Sequence, residues 1–96
     1  MATEKAIRQI AKRAATANLG SANFSSIINS TTTDSTGHEA LRIVIVIPPG
    51  AETKIRGAAA LDTIVEIQDR LRKAGEERFP LVEFATKKEL RERGSD

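Results

Sequence analysis

The chain has 96 residues and a mass of 10.4 kDa, with 40% hydrophobic and 29% charged residues, which suits one globular domain around one modest core. It holds no Cys, Trp or Tyr and only three Phe, so thiol, zinc-finger and iron–sulfur chemistry is excluded and the usual aromatic platforms for bases or sugars are missing. Fifteen Lys and Arg against thirteen Asp and Glu leave a net charge of +2, a balance that sets solubility more than partner choice. The longest apolar run, Ile43–Ile47, is far below the ~20 residues of a membrane helix, and no apolar stretch of signal-peptide type opens the chain. The sequence therefore reads as a cytoplasmic protein with no membrane partner.

Residues 4–18 read as a helix. Ile7, Ile10, Ala14 and Ala17 recur at steps of three and four and share a face, bordered by Ala6 and Ala11. Lys5, Arg8 and Lys12 fall on another face at i, i+3 and i+7, with Arg13 alongside. Thr3 is the expected N-cap and Gly20 the expected left-handed stop. Residues 24–33 read as a Thr-rich strand suited to a sheet edge. Asp34-Ser35-Thr36-Gly37 supplies a turn, and residues 39–47 a second, antiparallel strand. The continuous apolar character of Ile43–Ile47 marks that strand as central, and Pro48-Pro49-Gly50 ends it.

A loop over 50–57 carries Lys54 and Arg56 and leads to a helix over about 58–74. On that helix Leu61, Ile64, Val65, Gln68 and Leu71 are expected to line the core, flanked by Ala60, Ile67 and Ala74. Glu66 with Arg70 and Asp69 with Lys73 are i, i+4 pairs in the favourable order, and Gly75 closes the helix. Residues 80–85 read as a short third strand. Thr86-Lys87-Lys88-Glu89 matches a capping box that opens a last helix to about Arg93.

The order is α-β-β-α-β-α. The expected fold class is α+β, a two-layer sandwich with a three-stranded sheet and helices packed on one face, over a single domain 1–96 with disordered ends at 1–3 and 94–96. The third strand, reached through a crossover helix, pairs parallel to the central strand on a right-handed path. If both long helices cover one side, Val44 and Val46 project from the other. They then form an apolar stripe that calls for a partner, of which a second copy of the chain is the commonest; the alternative is that the first or the C-terminal helix covers that face within one chain.

No convergent catalytic set is legible. His38 is the lone histidine and reads as a turn residue, and no second His or Cys completes a metal site. The hydroxyls of residues 25–36 lack a base and a nucleophile elbow. Lys54 and Arg56, ahead of a helix N-terminus, are candidate anion contacts, although no phosphate-binding glycine motif accompanies them. Lys5, Arg8 and Lys12 are candidate contacts to a phosphate backbone.

From residue 24 onward the layout resembles the minimal nucleotidyltransferase domain, the small partner in many two-gene toxin–antitoxin pairs. Leu41–Ile47 with Pro-Pro-Gly is similar to that family's central strand and exit loop, Leu61–Leu71 to its crossover helix, and Phe79–Phe84 with 87–93 to its third strand and closing helix. The resemblance implies the fold. The family's Gly-Ser would fall near Asn29-Ser30, and its paired metal-binding aspartates near Leu41 and Ile43. With apolar residues there, it implies no metal and no nucleotidyl transfer. The functional expectation is thus a non-catalytic protein-interaction module, without cofactor or small-molecule substrate, that homodimerises through the apolar sheet face at Val44 and Val46. The alternative is a nucleic-acid-binding module using the basic first helix.

Overall fold

A computed structural model describes residues 2–53, 55 and 57–93. The elements run α1 (Glu4–Leu19), β1 (Ser26–Thr33), β2 (Glu39–Ile47), α2 (Gly57–Lys73), β3 (Phe79–Thr86) and α3 (Lys87–Glu92), so the fold is α+β in the expected order. The sheet order is β1-β2-β3. β1 pairs antiparallel to β2 from Ser26↔Val46 to Thr33↔Glu39, and β3 pairs parallel to β2 from Ala40↔Phe79 to Ile47↔Thr86. The continuously apolar strand is therefore the central one, buried on both faces.

Local chemistry sets the boundaries. Thr3 Oγ1 accepts from the Ala6 amide at 3.1 Å and opens α1. Gly20, at φ +88°, ends α1 by donating its N–H to the Thr16 carbonyl at 3.1 Å, in a backbone region that a side chain would strain. β1 starts two residues later than expected, because a 3₁₀ turn over Ser21–Asn23 delivers the chain into it. At the same end of the sheet, on the opposite edge strand, Thr86 and Glu89 form the expected reciprocal capping box.

Opposed residues in register share a face, so the two faces can be read directly. Ile27 on β1, Leu41, Ile43, Ile45 and Ile47 on β2, and Val82 and Phe84 on β3 face the long helices and build the main core. Into it α1 sends Ile7, Ala11, Ala14, Ala15 and Leu19. Ile10 is half-buried and Ala17 exposed, a small roll from the expected face.

α2 departs further from expectation. It turns Thr63, Ile67 and Leu71 inward, while Leu61 (60% exposed) and Val65 (53%) point to solvent. The roll places Ala59, packed on the core, and buried Thr63 where larger side chains would separate α2 from the alanines of α1. Thr63 tolerates burial because its hydroxyl donates to the Ala59 carbonyl at 2.8 Å.

The second face differs from the single-sided picture. The two long helices lie on one side, but α3 folds back over the other, where Leu90 packs on Val44, Val46 and Ala85. The chain start is also held. Ala2 donates its amide to Glu76 Oε1 at 3.0 Å, so the expected disorder of 1–3 does not extend to Ala2 and Thr3. Residues 94–96 lie outside the described part.

Candidate interaction surfaces

The sequence nominated Val44 and Val46 as a partner face. Both project from the second face, as expected, but they are only 4% and 1% exposed, because α3 covers them within the chain. The part of that face left open lies toward the other end of the strands. Ile28 (48% exposed), Phe79 (57%) and Leu81 (40%) surround Arg42 there. The Arg42 guanidinium holds Glu83 Oε1 at 2.8 Å, and Arg93 holds the same oxygen at 2.8 Å from the end of α3. These hydrogen bonds, Arg42's first, keep the Glu83 carboxyl below the usual carboxylate range. Sequence reasoning missed Phe79 and Leu81 as surface residues. The signal was available, since alternation along Phe79-Pro80-Leu81-Val82 puts the two on the same side, away from Pro80 and Val82.

The α1 cations are where the sequence placed them. Lys5, Arg8 and Lys12 are exposed and line one shallow groove with Glu4 and Gln9. Among the described residues, every ion pair uses arginine or lysine from elsewhere in the fold: Arg42, Arg70, Arg72, Lys73, Arg78 and Arg93. The expected Glu66–Arg70 and Asp69–Lys73 pairs form, at 2.8 and 3.0 Å. The cations of α1 take part in none of these, so their field is directed outward. Lys54 and Arg56 lie outside the described residues.

α1 lies above β1: the Asn29 side-chain amide donates to the Glu4 carbonyl at 3.3 Å. It is packed against α2 as well, with the Asn18 side-chain amide donating to Glu66 Oε1 at 3.1 Å. At about 100° per residue, half-buried Ala6 and Ile10 lie on one flank of α1, and Lys5, Arg8 and Lys12 on the opposite one. The apolar flank meets α2, so the cationic flank leans over the open edge of β1.

His38 sits in the hairpin turn beside a tight network. Asp34 Oδ1 accepts from the Thr36 amide (2.9 Å), the Thr36 hydroxyl (2.7 Å) and the His38 amide (2.9 Å). Those bonds, the Thr36 hydroxyl's first, hold the Asp34 carboxyl low. Thr36 Oγ1 and His38 Nδ1 are 2.7 Å apart. Since the carboxylate takes the hydroxyl proton, Nδ1 is the donor of that last bond. The hydroxyl is thus tied to a carboxylate and not aimed at a base, an arrangement that locks a turn. Among the described residues no cluster of three or more His, Asp or Glu could hold a metal ion.

Protein-family models, curated proteins and solved structures were compared with this chain, and none matches. Leu41 and Ile43, where the resemblance would require metal-binding aspartates, are both buried in the main core.

Proposed function

We propose that the protein is a non-catalytic interaction module that homodimerises through the open half of its second sheet face. The observation that carries this reading is the grouping of exposed Phe79 and Leu81 with Ile28 on one sheet face around the Arg42–Glu83 pair. A twofold axis through that surface would bury these apolar groups against their copies and enclose the Arg42–Glu83 pair among them, its two charges balanced by each other. Val44 and Val46 then sit on the same face beside that surface, where they hold α3 against the sheet through Leu90. The resemblance to the minimal nucleotidyltransferase domain enters this reading as fold alone, without its chemistry.

Light scattering after size exclusion tests it. The wild type is expected to be a dimer at micromolar concentration, and Leu81→Asp a folded monomer. A wild-type monomer up to 100 micromolar would end the reading.

The cations of α1, which form no ion pair among the described residues, favour a second reading, nucleic-acid binding through Lys5, Arg8 and Lys12. Its signature is retardation of RNA or DNA that weakens steeply with salt.

A further inference from the structure

β1 is an edge strand of eight residues whose register with β2 runs without a break from Ser26 to Thr33. An open edge presents unpaired N–H and C=O groups, and proteins usually blunt one with a charge, a proline or a bulge. β1 has no charge, no proline and no bulge, whereas the opposite edge strand, β3, carries Pro80 and the ion-paired Glu83. β1 is also asymmetric across its two sides. On the helix side, the Lys5, Arg8 and Lys12 flank of α1 leans over the place where a neighbouring strand would lie, about 5 Å beyond β1. On the other side, Ile28 stands half-exposed at the middle of the strand.

The geometry points to the β1 edge as a docking site for an extended segment of a partner protein, with acidic side chains on alternate residues beneath α1 and apolar ones beside Ile28. The backbone edge supplies the pairing, the three cations select the acidic side, and Ile28 selects the apolar side. A second copy of β1 is a poor occupant. Antiparallel pairing about a twofold axis would bring the two α1 cationic flanks face to face. Nucleic acid would use the cations but leave the backbone edge and Ile28 idle, and no aromatic residue sits on α1 or β1 to stack a base. Ile28 is shared with the Phe79–Leu81 surface, but the backbone edge of β1 and the α1 cations lie outside it, so Leu81→Asp removes the proposed dimer and leaves the edge, and either reading can fail without the other.

The test is fluorescence anisotropy with the labelled peptide Glu-Val-Glu-Thr-Glu-Val-Glu-Thr at low salt. Three comparisons accompany it: the same peptide N-methylated at alternate amides, a peptide of equal composition with its acids in one block, and a single-stranded RNA 12-mer. The alternating peptide is expected to bind at least tenfold more tightly than the N-methylated or block peptide. It is also expected to lose at least tenfold in the Lys5→Gln/Arg8→Gln/Lys12→Gln variant, whose exposed positions leave the fold intact. Equal binding of the N-methylated or block peptide would reduce the site to a charged patch and overturn the proposal. So would tighter binding of the RNA, or no binding of any probe.

Discussion

Glu76 carries a buried carboxylate with both of its oxygens hydrogen-bonded. Its Oε2 accepts from the Arg78 amide at 2.9 Å and from Arg78 Nε at 2.8 Å, and its Oε1 from Arg78 Nη2 at 2.9 Å and from the Ala2 amide at 3.0 Å. The carboxylate is almost wholly buried, so four donors replace the water it gave up. Hydrogen bonds from the Arg78 side chain, foremost, pull its pKa down from 4.5 to about 2. Because the folded value lies below the unfolded one, this group stabilises the fold above about pH 4.5, and the contribution fades as pH falls toward 2. Glu76→Gln is expected to cost about 2 kcal/mol at pH 7 and to flatten the decline between pH 5 and 2. Urea denaturation of both proteins at pH 7, 4 and 2.5 checks it. Equal losses from pH 7 to pH 2.5 would show that the carboxylate is not what titrates. The same residue ties the start of α1 to the α2–β3 connection, a contact across 74 residues of chain that no local pattern announces.

Among the elements, α3 changes the meaning of the apolar stripe the sequence exposed. Val46 is in contact with Leu90 beneath this helix, and a charge there has no partner and no route to water. Val46→Asp is therefore expected to unfold the protein, at a cost above about 3 kcal/mol, and not to give a folded monomer. Half-buried Leu90→Ala should stay folded and lose about 1–2 kcal/mol. Circular dichroism and thermal melts of the two variants separate the cases. A folded, monomeric Val46→Asp would restore Val44 and Val46 as the interface. The strand order, the central strand, both long helices and the capping box were legible, because each rests on local periodicity or a local cap. The fold-back of α3 was legible only as an alternative to a partner on that face, because a six-residue helix carries one apolar residue, Leu90, and the Arg93–Glu83 pair that anchors its end is no local signal. The phase of α2 was misread for a related reason. Its buried stripe is narrow and includes a threonine, and hydropathy alone prefers Leu61 and Val65.

The molecule as a whole has a nearly balanced charge that is unevenly spread. The cations of α2, β2 and Arg93 are spent on ion pairs, and Lys5, Arg8 and Lys12 of α1 lean over an otherwise undefended edge. That segregation gives β1 two properties at once: it invites an acidic strand, and it repels a second copy of itself. The basic flank thereby replaces the charged or proline-bearing edge residues β1 lacks, with the cations placed on the neighbouring helix. Repulsion of this kind is screened by salt, since the Debye length falls from about 10 Å at 0.1 M to about 3 Å at 1 M. Strand-to-strand self-association is therefore expected to rise with ionic strength, the reverse of an interface held by ion pairs. The Leu81→Asp background removes the proposed sheet-face dimer and isolates the effect. In that background the Lys5→Gln/Arg8→Gln/Lys12→Gln variant should self-associate at 0.05 M salt, where the parent is monomeric, and the parent should approach it at 1 M. Sedimentation velocity at both salts reads the outcome. If parent and variant sediment alike at both, the α1 flank does not guard the edge, and β1 must be kept from self-pairing by something other than charge.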